Sequence, residues 1–564
     1  MSIVLATEIR WYAAIVVAVV LFNLVAIFGA ETLLHDDPSL YGAMIHGEFG
    51  VWARQWAKFN VLLPMTEWLG STLVVGSPFL ARGIYVVALL VPISSLLYYF
   101  YSTRLGFPRA TAFAAAVLPN ILPQQSEIPA GINMSYVVWG LLAALLSFLL
   151  ALRYLQDTTA TSRRWLVRAS LVFLAATQIT EQTLFLYPSV VLALALCSCD
   201  PKKRWRLGWA FSLVAATKVL QILLIPRLQP SSLPVDEIAY RVWQYLDWSL
   251  PIPRETWLYA IGLFAMMGFA VAALRRLRPS LRPSLRSGFT AKCLAVCLCW
   301  ALSTILIFLL CSEWYTVRYS YYSAFGLNAA LVLLLETQVI GVLGNARVAR
   351  PLIFGGLIMF SGLLRFEYLR DEYSGDNAFL AVVRRDIGKI DLPPSAQVVI
   401  VGNRSLGGGW YRSSGTLEYA LQRPDVFGLI GIKNQGSHFN FDDHFDPRTR
   451  GYSEDMTGLL LDAPTFLFVA DEGGTSLRRL DLALQWKGSM DSAAWKILKM
   501  DRISGKAFPL VEGIGMSAYT DALHQLETSG IRQSDILWGG PPLEAEKRRL
   551  LGTRQEPVAR GSNP

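Results

Sequence analysis

The sequence predicts a mainly α-helical, polytopic membrane protein with a small α/β domain at its C-terminal end. Three observations carry this. Of 564 residues, 53% are hydrophobic and only 16% charged, against roughly 25% charged in a soluble globular chain. Apolar stretches recur through the first two thirds, and several reach the roughly 20 residues of helix that a bilayer core requires. Beyond position 370 the pattern changes to short runs rich in β-branched and aromatic residues, closed by Gly, Asp and Asn.

About eleven spans are expected, at 11–30, 79–101, 108–122, 134–154, 165–181, 184–199, 207–226, 256–274, 290–311, 321–343 and 351–368. The run from Trp11 to Ala30 is too long for a signal-peptide core and Phe28-Gly29-Ala30 is a weak cleavage site, so it reads as a retained first helix. The third span is short and interrupted by Pro119 and Pro123, and the fifth and sixth turn tightly at Thr180-Glu181-Gln182. Either pair could be partly re-entrant.

Loop charges set the orientation. With the N-terminus inside, the inside loops hold eighteen basic residues, from Arg104 and Arg109 to Arg347 and Arg350. The outside loops hold six: Arg54, Lys58, Arg227, Arg241, Arg254 and Arg318. Every alternation then follows the positive-inside rule, and the C-terminus lies outside. The net charge of +9 is therefore topological and excludes nucleic acid as the partner, because the C-terminal segment mixes both signs without a basic stripe. The repeat from Arg278 to Arg286 reads as a solvated tether against anionic headgroups. The six cysteines (Cys197, Cys199, Cys293, Cys297, Cys299 and Cys311) lie in or beside apolar spans, where small packing residues are expected and no disulfide framework is implied.

The expected organisation is a transmembrane domain over 1–368 with a large first outer loop at 31–78, an extracytoplasmic α/β domain over 369–538, and a disordered tail at 539–564. Strands are expected at 396–401 and 464–470, with an amphipathic helix at 379–390 before the first.

Candidate chemistry concentrates outside. In Glu31-Thr-Leu-Leu-His-Asp36-Asp37-Pro38, two adjacent carboxylates follow the first span. Asp37 before Pro38 also suits a helix start, which leaves Asp36 unexplained. An acidic pair beside a bilayer costs free energy unless something cationic uses it. From Phe49 to Leu63, Trp52, Trp56, Phe59 and Leu63 recur at helical spacing opposite Arg54 and Lys58, predicting one helix along the membrane surface. Arg318 and Tyr322 belong to the aromatic-rich Glu313–Tyr322 segment, which could stack on sugars or form an interfacial belt. Lys218 falls inside the seventh span, where an ammonium is a functional candidate or a structural partner of Glu181. Glu127 in the second outer loop, and Glu181 and Gln182 at the hairpin tip, could bind substrate hydroxyls or be merely solvated. Gly407-Gly408-Gly409 lacks the Lys-Ser/Thr ending of a phosphate-binding loop. The cluster His438, Asp442, Asp443, His444 and Asp446 matches no standard metal spacing and reads as a solvated turn.

This layout resembles the GT-C superfamily of integral membrane glycosyltransferases, which use sugars carried on polyprenyl phosphate. The likeness covers the whole architecture: a cytosolic N-terminus, an acidic motif and surface helices in the first outer loop, about eleven spans and a small outer domain. Its sequence motif is the short Asp36-Asp37 pair. A Trp-Trp-Asp motif, expected of an oligosaccharyltransferase, is missing from the soluble domain. The resemblance implies inverting transfer on the outer face of a bacterial cytoplasmic membrane, from a polyprenyl-phosphate-linked sugar to a glycan, lipid or protein. Asp36 would then be general base, with Asp37 orienting it or the acceptor, and Arg318, Lys218, Glu127, Glu181, Gln182 and Tyr322 would line the substrates. The acidic pair could hold Mg²⁺ or Mn²⁺, while the superfamily includes metal-independent members. Two other classes stay open: a transporter or lipid flippase, for which inverted repeats would be expected, and a non-catalytic cell-envelope assembly partner.

Overall fold

The computed structural model describes residues 2–29, 37–45, 47, 49–58, 60–125, 128, 131, 135–159, 162–187, 189, 192, 200–224, 235–251, 287–310, 320–340, 346–402, 414–433, 439–440, 445–446, 451–452, 463–471, 474–487, 492, 494–532 and 535–539. Its helices, in chain order, are α1 (Ser2–Phe22), α2 (Leu24–Phe28), α3 (Asp37–Ile45), α4 (Phe49–Ala57), α5 (Leu63–Gly76), α6 (Pro78–Arg104) and α7 (Arg109–Val117). There follow α8 (Ser135–Gln156), α9 (Ser162–Ile179), α10 (Pro201–Leu224), α11 (Val235–Ser249), α12 (Ser287–Leu310) and α13 (Tyr321–Ile340). The last three are α14 (Ala346–Asp386), α15 (Ser414–Leu421) and α16 (Met516–Thr528). Among the described residues, four helices are long and apolar enough to cross a membrane: α6, α8, α13 and α14. The span expected at 256–274 lies outside the described residues, and that at 184–199 is described only in part.

Backbone contacts divide the chain into two compact units. The first joins Met1–Gly29 to Phe49–Asp371, and the second joins Ala30–Glu48 to Glu372–Pro564.

In the first unit the apolar core runs through α1, α6, α7, α8, α9, α12 and α13. Interruptions in these helices have local causes. Asn23 separates α1 from α2 and gives its amide N–H to the carbonyls of Val19 (2.7 Å) and Asn120 (3.2 Å). A π-helical turn at Val86–Leu90 lies just ahead of Pro92 in α6, where the missing proline N–H and its ring disturb the regular ladder. One end of the bundle is rich in cations. Arg109 pairs with Glu8 at 2.6 Å, Lys203 donates to the Asp157 carbonyl at 2.6 Å, and Arg153 lies over the Trp165 ring at 4.2 Å. The fully buried carboxylate of Glu336 takes a two-pronged bond from Arg350, closest at 2.7 Å, and the Thr111 hydroxyl at 2.9 Å.

The surface helix expected over 49–63 is instead two helices. α4 stops at Ala57 and α5 starts at Leu63. Between them the chain turns inward: Asn60 is buried and the Leu62 N–H donates to the Gln178 carbonyl at 2.9 Å. Pro64, which α5 accommodates in its first turn, suits a new helix start. The aromatic stripe survives on α4, where the rings of Phe49, Trp52 and Trp56 meet in sequence, tilted by 31° and 40°.

The second unit is α/β. A five-stranded sheet has the order β3-β2-β1-β6-β7, with β1 (Gln397–Gly402) central and parallel to both β2 (Phe427–Lys433) and β6 (Thr465–Ala470). The edges are β3 (Phe439–Asn440) and β7 (Leu477–Leu480), both antiparallel to their neighbours. The short strands β4 (Phe445–Asp446) and β5 (Gly451–Tyr452) pair antiparallel in a separate two-stranded sheet. A four-stranded sheet follows, ordered β10-β9-β8-β11, built from β8 (Leu482–Lys487), β9 (Ala494–Met500), β10 (Ala507–Ile514) and β11 (Ile536–Gly539).

Strands β1 and β6 fall where their β-branched and aromatic runs predict. The amphipathic helix expected at 379–390 is instead the end of α14, a 41-residue helix that carries on past Asp371. Its Phe379, Leu380, Val383 and Ile387 pack on Val398 and Ile400 of β1, which holds the helix together through the weak formers Ser374-Gly375-Asp376-Asn377. Asp386 at its end accepts from the Leu477 N–H at 2.8 Å, and the adjacent Arg385 guanidinium holds its carboxyl below the ordinary range.

Candidate functional site

The structure gathers several sequence candidates where α9 ends. Ile179 is the last residue of α9 and Thr180 turns the chain, its hydroxyl accepting from the Gln182 N–H at 3.4 Å. A short 3₁₀ segment, Glu181–Leu186, follows.

Lys218 of α10 points into this corner and is 1% exposed. Its ammonium donates to Asn60 Oδ1 at 2.7 Å and to Gln221 Oε1 at 3.3 Å. Asn60 in turn donates from Nδ2 to Glu181 Oε2 at 2.7 Å, so Asn60 links the ammonium to the carboxylate. Gln178 donates to Gln221 Oε1 at 3.1 Å, and Gln221 donates to the Lys58 carbonyl at 3.4 Å. The 58–62 turn is thus stitched to α9, to α10 and to the 180–183 turn. Lys218 lies fifteen residues along α10 from Lys203, about 22 Å at 1.5 Å per residue. The cluster therefore sits towards the opposite end of that helix from the cation-rich end.

Gln182 is 3% exposed, and both ends of its amide are buried without a hydrogen-bond partner among the described residues. The Oε1 of Gln178 is buried and likewise has no partner among the described residues. Leaving such an atom unsatisfied costs about 1–3 kcal/mol, so these amides are groups that a polar ligand would stabilise.

Tyr322 belongs to the same corner. Its hydroxyl donates to the Val137 carbonyl at 2.7 Å, and its own carbonyl accepts from Trp300 Nε1 at 2.8 Å. Both α8 and the 180–183 turn approach it at Gly140. A Cβ there would overlap the Thr180 methyl, stand 2.9 Å from the Tyr322 hydroxyl and 3.2 Å from the Thr183 methyl. Gly140→Ala is therefore expected to destabilise the first unit by about 1–3 kcal/mol and to displace the 180–183 turn. Thermal unfolding in detergent micelles measures this, and an unchanged melting temperature would contradict it.

Other candidates fall elsewhere. Asp36, Glu127 and Arg318 lie outside the described residues. Asp37 begins α3, as its position before Pro38 predicts for a helix start. The described residues that flank Glu127 and Arg318 are joined: Gln125 Nε2 donates to Ser320 Oγ at 2.5 Å and to the Trp248 carbonyl at 3.0 Å. Fully buried Arg365 of α14 reaches the neighbouring Leu122 carbonyl at 2.5 Å.

The residue least visible in the sequence is Asn60, which the amphipathic pattern of 49–63 leaves unmarked. Glu67 and Arg82, 2% and 0% exposed, were also missed. Each is a charge in an apolar context, the signal that singled out Lys218.

Among the described residues no group of three or more His, Cys, Asp or Glu side chains could hold a metal ion. Cys293 and Cys297 are buried in the α12 core, with Cys293 Sγ on the Leu105 carbonyl at 3.8 Å.

A scan against family models and a search of curated proteins return no match. Among solved structures, the chain is similar to the oligosaccharyltransferase of Archaeoglobus fulgidus in its apo form. The match has 14% identity and a TM-score of 0.38 over 74% of this chain and 64% of that one. The crystal structure of the same protein with zinc and sulfate matches at 16% identity and a TM-score of 0.37, over 73% and 61% of the two chains. The chain thus spans less than two thirds of that protein's length. A likeness this loose carries no argument about fold, family or chemistry.

Proposed function

We propose that the chain is a membrane glycosyltransferase of the GT-C type, moving a sugar from a polyprenyl-phosphate carrier to an acceptor on the outer face of a bacterial cytoplasmic membrane. The observation that supports this reading is the buried Lys218, linked by Asn60 to Glu181 beside the orphaned amide of Gln182. An ammonium inside an apolar helix is expensive and marks a functional site by default. Asp36 takes the proton from the acceptor hydroxyl while its oxygen attacks the anomeric carbon. The bond from that carbon to the carrier phosphate breaks and the configuration inverts. Negative charge grows on the departing phosphate, and Lys218 with the Gln182 amide N–H supplies donors for it. Glu181 and the amide oxygens of Gln178 and Gln182 accept from sugar hydroxyls. Asp37 orients the base, and Arg318 and Glu127 serve the substrates.

Lys218→Met removes the charge and keeps most of the side-chain length. It is expected to lower kcat/KM for transfer by about 10²–10³-fold, as loss of a preorganised donor does elsewhere. Steady-state kinetics on folded protein in nanodiscs measures this, and wild-type kcat/KM in the variant would overturn the role given to Lys218.

A further inference from the structure

Helix α3, which Asp37 begins, belongs by its contacts to the C-terminal domain. Residues Ala30–Glu48 group with Glu372–Pro564 and not with the helices on either side of them in the chain. The link is α3 against α15, where the Tyr41 and Tyr419 rings meet edge to face, centroids 5.8 Å apart at 86°. Burial, with Glu418 and Tyr419 close by, pushes the Tyr41 phenol up from its ordinary value. Tyr41 is four residues after Asp37, one turn along the same helix.

The partner surface is fixed in its own right. Glu418 is fully buried and accepts from the Gly428 N–H of β2 at 3.1 Å. Leu417 lies over Gly428, where a Cβ would collide with it. Arg384 of α14 donates to the Ala420 carbonyl at 3.3 Å. The helix that carries Tyr419 is thus tied to the sheet and to α14.

We infer that Tyr419 is a positioning residue: through Tyr41 it holds α3, the helix that Asp37 begins, and thereby positions the acidic pair at its start. This rests on the role proposed for Asp36. A misplacement of about 1 Å costs a reaction roughly 10²-fold, so the grip on α3 is a control point although Tyr419 touches no substrate.

The test uses the full chain in lipid nanodiscs. Tyr419→Ala is expected to lower kcat about 10- to 100-fold with KM for the lipid-linked donor unchanged, and Tyr419→Phe, which keeps the ring, to restore it. Hydrogen exchange, read without substrate, is expected to speed up over 37–45 in Tyr419→Ala and to stay unchanged over 465–500. A wild-type kcat in Tyr419→Ala, or unchanged exchange over 37–45, would overturn the inference. Should wild-type protein transfer no sugar at all, the role of Asp36 fails, and exchange alone decides whether Tyr419 holds α3.

Discussion

Replacing Asp36 by Asn is expected to cut transfer by about 10³-fold, within the range that a positioned general base contributes. The side chains are nearly equal in size, so the substitution removes proton-accepting capacity and little else. The result separates the two carboxylates. Asp37 begins α3, and its loss should show partly as a weakened helix start, since a carboxylate in the first turn is worth about 0.3–1 kcal/mol. Asp36 immediately precedes that helix in the chain, and Asn is as good a residue as Asp at a helix start. Its variant should keep the wild-type melting temperature and the exchange pattern over 37–45 while losing turnover. Full activity in Asp36→Asn would sink the general-base mechanism, and a loss of activity matched by loss of folding would reassign the residue to structure.

The largest effect on stability is expected at Glu336 in the first unit. Glu336 has a side chain 0% exposed, whereas that of its partner Arg350 is 25% exposed. Arg350 Nη2 and Nε both reach the carboxylate, and Thr111 supplies a third donor. Arg350→Met would leave a buried carboxylate with its counter-charge gone, which costs about 3–5 kcal/mol when one partner of a buried pair is removed. Removing both, in Glu336→Leu with Arg350→Met, should recover most of that loss, because desolvation consumes much of what such a pair gains. Thermal unfolding of the two variants in the same micelles measures the difference. A single variant as stable as wild type would show that the carboxylate is satisfied without Arg350.

The sequence makes the helices legible because a bilayer demands long apolar runs, and α6, α8 and α13 follow theirs closely. Strands β1 and β6 were equally visible, since buried parallel strands read as continuous β-branched and aromatic runs. What escaped were features set by partners distant in the chain. Asn60 leaves its helix because Lys218 and Glu181, 158 and 121 residues away, bind it. The stretch from Ser374 to Asn377 stays helical although its residues favour a break. The core contacts of Phe379 and Leu380 lie further along α14 and leave no local mark there. Arg350, counted as a topological charge in a loop, folds onto a buried carboxylate. The grouping of Ala30–Glu48 with the C-terminal domain rests on backbone contacts such as those between α3 and α15, where the paired rings lie 378 positions apart, which no periodicity encodes.

The central claim is that the chain breaks the bond between a sugar and a polyprenyl phosphate. The most direct measurement incubates purified wild-type protein in nanodiscs with a panel of polyprenyl-phosphate sugars and follows release of the lipid phosphate. Release from at least one donor, with the sugar recovered on an acceptor and the rate lost in Asp36→Asn, is the result predicted. No release from any donor by folded protein, together with movement of a lipid-linked sugar across proteoliposomes without a covalent product, would contradict it and make the chain a transporter.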